Sequence, residues 1–341
     1  MNTTLKEQVK ALWRLCFSDS DDFIDMYFDY RYTDDINMAI IQDDKVISSL
    51  QLIPYNMTFH GKLIPTSYIS GACTHPGFQG KGIMRELLKR SFDRMSKTGV
   101  LISTLIPAEE WLVGYYAKTG YASVFYNSNE LILFTDMPDI PDLSILETDT
   151  FNSEMYDYLN RHMMGRDFCI QHSEKDFRVV LADMKLSGGK IVYVVCNNTI
   201  EGLAIATPEP GYICLQEMFT DNPDIENAII NYLYRSDGNQ IRRISPVNGD
   251  NAPDRKLLGM ARIINVKEVV SMYAQANPGL ETNFEVIDEY LADNNGCYFI
   301  NGGNCRFDPG NRGNGIKVYT ISDLTEMVLG SKNAYMSLML N

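Results

Sequence analysis

A glycine-rich bend with cationic side chains lies between an apolar stretch and a charged segment. It runs from Thr74 to Met84 with the sequence THPGFQGKGIM. Glycine accepts backbone conformations that other residues disfavour, so Gly80 and Gly82 allow several N–H groups to point outward. N–H groups presented at the start of a helix bind anions. The residue types and their spacing therefore predict a phosphate site.

The charge around this bend differs from the charge of the chain. Six cationic and two anionic side chains lie between Gln79 and Lys97, whereas the 341 residues together carry a net charge of -14. A phosphate ligand suits this local excess of positive charge, and the dipole of a following helix would add to it. A tight strand-to-helix turn with a solvated basic face explains the same residues, so the spacing alone leaves both interpretations open.

The elements on either side of the bend can be predicted from apolar periodicity. SYISGACT before it is typical of a buried strand, and about Ile83 to Lys97 has the apolar spacing of an amphipathic helix. Residues 5–30 are predicted to be helical, and residues 38–74 to form strands with turns at QDDK and HGK. VLISTLIP is predicted as a strand, and AEEWLVGYYAKTG as a helix that ends at a capping glycine. The first ~135 residues are therefore predicted to form an α/β domain with a mixed sheet.

Two further segments follow. TDMPDIPDL (135–143) is typical of a linker, because it combines two prolines with three aspartates. The next segment repeats the first one in outline, with two helices, three strands and another helix, although without obvious sequence identity. From Met260 the pattern changes to a small domain of strands with one or two helices.

Composition excludes several classes of protein. The net charge of -14 argues against nucleic-acid binding, and no stretch approaches the ~20 apolar residues of a membrane span. The N-terminus lacks the apolar core of a signal peptide. Seven scattered cysteines without a CxxC, and four histidines without ligand spacing, predict neither a disulfide framework nor a metal site. We therefore expect a cytoplasmic protein of two or three domains.

The bend resembles a motif of the GNAT acyltransferases. Gln79-Gly80-Lys81-Gly82-Ile83-Met84 is similar to Q/R-x-x-G-x-G/A, and it fits neither the P-loop nor the dinucleotide-binding pattern. Met84 stands where most members have Gly or Ala, a departure shared by the branch resembling the Eis (enhanced intracellular survival) acetyltransferases. The resemblance implies that loop amides hold the pyrophosphate of acetyl-CoA and that the preceding strand offers its backbone to the pantetheine arm. The donor-binding residues so implied are Ala72, Cys73, Thr74, Gln79, Gly80, Lys81, Gly82, Ile83, Met84 and Arg85, with Lys81 and Arg85 facing the phosphates.

A second motif lies in EEWLVGYYAKTGY (109–121), which resembles the Y-x-x-x-G-[YF] element of GNAT domains. The resemblance places Tyr116 at the general-acid position. When an amine attacks the thioester, coenzyme A leaves as a thiolate, and a tyrosine hydroxyl within reach can protonate it. Tyr115 points about 100° away on a helix and is the second candidate.

The resemblance to Eis-like enzymes extends over the whole chain. It implies an α+β (mixed α/β) fold with two tandem GNAT-like domains and a C-terminal domain resembling sterol carrier protein. The predicted divisions are 1–137 for the catalytic acetyl-CoA-binding domain, 143–259 for a non-catalytic domain that shapes the acceptor cleft, and 260–341 for the last domain. It also implies a homo-oligomer and assigns the role of base to the α-carboxylate of Asn341. Glu110 and Glu217 are alternative bases acting through water.

These features predict an acetyl-CoA-dependent N-acetyltransferase without a metal. The acyl group would pass directly to a primary amine of a small molecule or a lysine side chain. Cys73 has no histidine partner nearby in the sequence, so we assign it packing or backbone contacts. A Fem-like aminoacyltransferase is a second enzyme class, although the negative charge argues against a tRNA surface. A catalytically degenerate protein that binds acyl-CoA or lipid is the alternative from another class.

Overall fold

The computed structural model describes residues 4–133, 143–237, 240–247, 255–310 and 315–340. Residues 135–142 of the predicted linker lie outside these ranges. Contacts between the described residues divide the chain into two units. Unit 1 contains the residues up to Phe125 together with Leu258–Ala334, and unit 2 contains Tyr126–Leu257 and Tyr335–Leu340. The sheets are mixed, so the predicted mixed α/β fold class is confirmed.

The helices and strands alternate along the chain. From residue 4 to residue 133 they are α1 (Leu5–Cys16), α2 (Asp21–Tyr30), β1 (Asn37–Gln42), β2 (Lys45–Phe59), β3 (Lys62–Thr74), a 3-10 helix (Pro76–Phe78), α3 (Ile83–Lys97), β4 (Ile102–Leu105), α4 (Glu110–Ala117) and β5 (Ala122–Ile132). They continue with β6 (Ser144–Thr148), α5 (Ser153–Met164), β7 (Ile170–Gln171), α6 (Glu174–Leu186), β8 (Lys190–Cys196), β9 (Thr199–Glu209), β10 (Tyr212–Thr220), α7 (Pro223–Asp237), β11 (Gln240–Pro246) and β12 (Arg255–Ile263). The remaining elements are α8 (Val266–Ala276), β13 (Thr282–Ile287), a second 3-10 helix (Ala292–Asn294), β14 (Gly296–Asn301), β15 (Asn304–Asp308), β16 (Lys317–Thr320) and α9 (Ile321–Leu329).

Unit 1 contains a sheet in the order β1-β2-β3-β4-β12. The first three strands are antiparallel and joined by tight turns at QDDK and HGK, as predicted, where Asp43, Asp44, His60 and Gly61 adopt left-handed backbone conformations. β3 and β4 are parallel, and a parallel pair needs a crossover, which α3 provides. β12 pairs antiparallel with β4, so a strand from the C-terminal part of the chain joins this sheet.

The helix predicted from about Ile83 to Lys97 is α3, with the same bounds. Its apolar face is buried: Leu87, Leu88 and Phe92 are fully inaccessible to solvent and belong to one hydrophobic cluster with residues of β2, β3 and α4. Burying such side chains contributes roughly 1.5–3 kcal/mol each. The bend that precedes α3 is thereby anchored to the core.

Unit 2 repeats this topology. β8, β9 and β10 are antiparallel, β10 and β11 are parallel, and α7 connects the parallel pair. Two helices, α5 and α6, precede these strands, as α1 and α2 do in unit 1. The internal repeat that was predicted in outline is thus present as a repeat of strand order.

The C-terminal segment of unit 1 forms a second, four-stranded sheet in the order β15-β14-β13-β16, in which β13 and β16 are parallel. The predicted combination of strands with one or two helices is present, with α8 and α9. The relation of this segment to sterol carrier protein and the division into three domains stay predictions.

The chain end returns to unit 2. Tyr335 forms an isolated parallel bridge with Cys169, and Leu340 is buried. The tail is held by this bridge and by His172, whose Nε2 lies 2.9 Å from Ser337 O. Asn341 lies outside the described residues.

Candidate active site

The bend after β3 consists of a one-turn 3-10 helix followed by two glycines. His75 opens the turn, because its Nδ1 accepts a hydrogen bond of 3.1 Å from Gly77 N. Gly80 and Gly82 have φ values of 75° and 77°, a region that disfavours side chains. A Cβ at either glycine would meet no atom within 4 Å. The backbone conformation, and not tight packing, is what requires glycine at these positions.

The start of α3 differs from the start of the corresponding helix in unit 2. Gly82 is the N-cap of α3, and no side chain caps this helix. In α7 the side chain of Asn222 accepts hydrogen bonds of 3.0 Å from both Asp224 N and Ile225 N. The first N–H groups of a helix have no partner within the helix. The first turn of α3 therefore offers donors to an external anion, whereas α7 satisfies donors internally.

Two polar side chains of the bend fold back onto it. Gln79 Nε2 donates to Thr74 O at 3.1 Å, and Lys81 Nζ donates to Gly77 O at 3.1 Å. The Lys81 ammonium also lies 5.1 Å from the centroid of the Phe78 ring. Both contacts hold the bend in shape.

The end of β3 separates from its parallel neighbour. The ladder between β3 and β4 covers only Thr66–Tyr68, although β3 continues to Thr74. The antiparallel register with β2 shifts in this region, and Gly71 there has a φ of 58°. Ser48 Oγ donates to Cys73 O at 2.9 Å and fixes the last residues of the strand. The strand end is thus held by β2 and is left unpaired on the β4 side.

Tyr116 lies at the end of α4 and is almost completely buried, with 7% of its surface exposed. Its carbonyl accepts hydrogen bonds of 2.8 Å from both the N–H and the hydroxyl of Thr119. The C-cap of α4 is Lys118, and Gly120, which was predicted to cap the helix, lies two residues further on with a φ of 90°. The Tyr116 ring contacts the rings of Tyr115 and Tyr121, with centroids 5.4 and 5.8 Å away. Burial raises the pKa of Tyr116 to about 12, and its electrostatic interaction with Tyr115 adds to this effect, so the hydroxyl is protonated at neutral pH.

A cavity of about 670 Å³ brings these three elements together. Its lining includes Tyr116 and all predicted donor-binding residues except Lys81, namely Ala72, Cys73, Thr74, Gln79, Gly80, Gly82, Ile83, Met84 and Arg85. The side chain of Lys81 is directed to Gly77 and Phe78 instead. Residues that are up to 44 positions apart in sequence thus border one space.

Phe78, Trp111 and Leu112 also line this cavity, as does Tyr115, and the first three were missed in the sequence. Trp111 is 65% exposed, and its Nε1 donates to Glu109 Oε2 at 2.7 Å. Helical spacing could have indicated that Trp111 lines the cavity, because positions 111, 112, 115 and 116 share one face of a helix.

A second cavity of about 610 Å³ adjoins the start of α3. Gly82 and Arg85 line both cavities, so the two lie on either side of this helix start. The other residues of the second cavity are Glu86, Lys89, Lys118, Glu289 and Tyr290. Lys118 follows α4, and Tyr290 comes from the C-terminal segment, so no local sequence signal indicated either. Three cations and two carboxylates make this space polar.

The alternative bases have different surroundings. Glu110 is exposed at the first position of α4. Glu217 is buried in unit 2, where Arg166 Nη1 donates to its two oxygens at 2.9 and 3.1 Å. That carboxylate is already held in an ion pair. The predicted base, the carboxylate of Asn341, lies outside the described residues.

Two absences hold for the part of the chain that the structure describes. It contains no group of three or more His, Cys, Asp or Glu side chains placed to bind a metal ion. Among the same residues no helix combines the length and the apolar character that crossing a membrane requires.

Comparison of the sequence with protein families identifies the N-terminal segment. Residues 1–124 match the family described as acetyltransferase (GNAT) domain. No curated protein matches the sequence significantly.

Solved structures share the fold over nearly the whole chain. A GCN5-related N-acetyltransferase from Anabaena variabilis has a TM-score of 0.77 at 16% identity, covering 96% of this chain and 88% of its own. A probable N-acyltransferase from Enterococcus faecalis has a TM-score of 0.75 at 15% identity, covering 97% and 89%. Eis1 from Mycobacterium abscessus has a TM-score of 0.71 at 11% identity, covering 95% and 86%. At these identities the similarity concerns the fold.

The chain therefore carries a GNAT acetyltransferase domain in its N-terminal segment, within a fold that N-acetyltransferases also have. The family match over residues 1–124 supports an acetyltransferase enzyme.

Proposed function

We propose that the protein is an acetyl-CoA-dependent N-acetyltransferase that transfers the acyl group directly to a primary amine of a small molecule or a lysine side chain. The single observation that carries the proposal is the cavity of about 670 Å³, because it is bordered by the bend, the unpaired end of β3 and Tyr116. In this proposal the bend and the end of β3 bind the donor, and Tyr116 protonates the departing thiolate.

The proposed donor site uses the start of α3. The backbone N–H groups of Gly82, Ile83 and Met84 face a pyrophosphate, and Arg85 adds a full positive charge. Uncapped N–H groups at a helix start favour an anion electrostatically. Lys81 acts at longer range, because its ammonium lies over Phe78 and donates to Gly77 O.

The acyl end of the donor lies along β3 in this proposal. Ala72, Cys73 and Thr74 offer backbone groups to the pantetheine arm, much as a neighbouring strand would. The ladder with β4 ends before these residues, which leaves this side of the strand open. Tyr116 then donates its proton to the departing thiolate, and its buried neutral hydroxyl supports this role.

The remaining parts of the proposal derive from the sequence. The α-carboxylate of Asn341 accepts the proton of the amine, the segment 143–259 shapes the acceptor cleft, and 260–341 forms a domain resembling sterol carrier protein. We also propose a cytoplasmic homo-oligomer that uses neither a metal nor nucleic acid. The capping of α7 by Asn222 supports a non-catalytic role for the second segment.

Calorimetric titration with acetyl-CoA tests the proposal. We expect micromolar binding to the wild type and none to Gly82→Trp, because Gly82 lines both cavities and its backbone conformation disfavours a side chain. Gly99→Trp is a matched control: Gly99 has a φ of 80°, a Cβ there would likewise meet nothing within 4 Å, and it lines neither cavity. Its binding should equal that of the wild type.

Two results would contradict the proposal. If the wild type does not bind acetyl-CoA, the acetyl-CoA-dependent reaction is excluded. If it binds acetyl-CoA but acetylates no amine in a screen of polyamines, aminoglycosides and lysine peptides, the degenerate acyl-CoA-binding alternative is favoured.

A further inference from the structure

An ion pair in the interior of unit 1 lies next to the proposed catalytic helix. Arg262 of β12 and Asp288, which follows β13, are 2.6 Å apart, and their side chains are 0% and 1% exposed. Desolvation of two charges offsets most of their attraction, so a buried pair is weak evidence for stability. The question is therefore what this pair holds in place.

Each of the three guanidinium nitrogens of Arg262 donates a hydrogen bond. Nη2 donates to Asp288 Oδ1 at 2.6 Å, Nη1 donates to Ile263 O at 2.9 Å, and Nε donates to Thr119 O at 3.0 Å. Thr119 is 143 residues away in sequence and lies directly after α4. Arginine suits this task because its planar fork has fixed donor directions.

Thr119 transmits this contact to Tyr116. Its N–H and its hydroxyl both donate to Tyr116 O at 2.8 Å, while its own carbonyl accepts from Arg262. The next residue, Gly120, has a φ of 90°, and a Cβ there would lie 3.1 Å from Arg262 Nε. The last turn of α4 is thus fixed by hydrogen bonds and by close approach to one guanidinium.

Aromatic packing makes a second connection. The Arg262 guanidinium lies 4.3 Å from the centroid of the Phe92 ring. Phe92 contacts Tyr121 at 6.0 Å, and Tyr121 contacts Tyr116 at 5.8 Å. One connection thus reaches the carbonyl of Tyr116, and the other reaches its ring.

Asp288 also organises the second cavity. Its Oδ1 accepts from Tyr290 N at 2.9 Å, and its Oδ2 accepts from Asn294 Nδ2 at 2.9 Å. Tyr290 lines the second cavity together with Lys118. The same ion pair thus connects the linings of the two cavities.

We infer that Arg262, held by Asp288, is a positioning residue that fixes the last turn of α4 and thereby the hydroxyl of Tyr116 for acyl transfer. The inference rests on the proposed function and extends it, because it makes the C-terminal segment of unit 1 part of the catalytic support. Neither Arg262 nor Asp288 lines either cavity, so both act through other residues.

A double-mutant cycle between Arg262→Lys and Tyr116→Phe tests the inference. Lysine keeps the positive charge opposite Asp288 but lacks the Nε that donates to Thr119 O. We expect Arg262→Lys to lower kcat roughly 10- to 100-fold, as a small misplacement of a catalytic group does, and to change the Kd for acetyl-CoA by less than about threefold. In the Tyr116→Phe background the same substitution should change kcat by less than about threefold, because the group it positions is gone. Arg14→Lys is the control, since Arg14 pairs with Asp21 and Asp25 on the exposed surface of α1 and α2 and should leave kcat unchanged.

The inference is overturned if the effects of Arg262→Lys and Tyr116→Phe on kcat are additive, or if folded Arg262→Lys has an unchanged kcat. Either result leaves the proposed function intact.

A wild type that does not transfer acetyl groups would overturn the proposed function. Hydrogen exchange then tests the positioning of Tyr116 directly. Peptides covering residues 110–121 should exchange faster in Arg262→Lys, or in Asp288→Asn if the first variant does not fold, with unit 2 peptides unchanged. Unaltered protection of 110–121 in a folded variant would refute the inference.

Discussion

At Tyr116 the surroundings of one side chain set its protonation state. Burial and the neighbouring Tyr115 raise its pKa from an ordinary value of 10.0 to about 12. The folded state therefore holds this proton more tightly than the unfolded chain does. The resulting stabilisation is fully present below pH 10 and is lost as the pH rises through about 12. At neutral pH the hydroxyl is a proton donor, as a general acid must be.

We expect Tyr116→Phe to lower kcat by about 10² or more, which is the contribution typical of general acid–base catalysis. The KM for acetyl-CoA should change little, because phenylalanine keeps the ring that lines the cavity. The ratio of wild-type to variant kcat should stay constant from about pH 7 to about pH 9, since Tyr116 does not ionise in that range. Steady-state kinetics over this range measures the ratio. Tyr115→Phe is the control and should lose less than about threefold; a larger loss there would transfer the role of acid to Tyr115.

Cys73 lies in the cavity lining, but its thiol is a poor nucleophile. A hydrogen bond with Cys16 and burial raise the pKa of Cys73 well above its usual range, whereas the same hydrogen bond lowers the pKa of Cys16. The thiolate is the reactive form of cysteine, so reactivity belongs to Cys16.

Incubation of the native protein with acetyl-CoA should therefore leave no acetyl group on Cys73. Iodoacetamide at about pH 8 should modify Cys16 well before Cys73, because only thiolates react readily. Peptide mass spectrometry after an acid quench measures both outcomes, and protein unfolded in urea is the control in which both cysteines react. An acetylated Cys73 that passes its acetyl group to an amine would contradict direct transfer.

At the scale of single elements, the end of β3 depends on Gly71. Its φ of 58° is strained for other residues, and a Cβ there would lie 2.1 Å from Cζ3 of Trp13 and 2.6 Å from Oε1 of Gln51. Trp13 comes from α1 and is buried. The irregular register at this point therefore combines a special backbone conformation with close packing by a helix.

Gly71→Ala should destabilise the protein by more than about 2 kcal/mol, the sum of a left-handed alanine and an overpacked core. Gly61→Ala is the matched control, because Gly61 also has a left-handed φ, of 73°, but a Cβ there meets nothing within 4 Å. We expect it to lose only about 1 kcal/mol. Urea denaturation measures both free energies of unfolding. If both variants lose the same free energy of unfolding, the contact with Trp13 does not contribute to the effect of Gly71→Ala.

Local signals explain which elements could be predicted. The periodicity of α3 and the glycines of the bend act within a few residues, so the sequence alone indicated them. The Trp111 side chain could have been found from its spacing to Tyr115. Lys118 and Tyr290 could not, because their position beside Arg85 depends on how segments far apart in sequence pack together.

At the scale of the whole molecule, strand pairing decides which segments form a unit. The sequence indicated a change of character near residue 260, close to where the chain enters unit 1 again at Leu258. It did not indicate that Met260–Ile263 of β12 would pair with Ile102–Leu105 of β4. Composition and turn signals mark boundaries along a chain, whereas a pairing across more than 150 residues leaves no local pattern.

This pairing makes the C-terminal segment necessary for the acetyltransferase domain. A chain that ends at Leu257 loses the strand beside β4, the Arg262–Asp288 pair and Tyr290 of the second cavity. It also exposes the edge of β4, which is buried on both faces and prone to aggregation once unpaired. We expect the shortened chain to be insoluble or to bind acetyl-CoA at least about tenfold more weakly, by calorimetry. Co-expression of residues 258–341 as a separate chain should restore solubility if pairing is the cause. An independent C-terminal module predicts the opposite, a shortened chain that is soluble and binds acetyl-CoA with the affinity of the full-length protein.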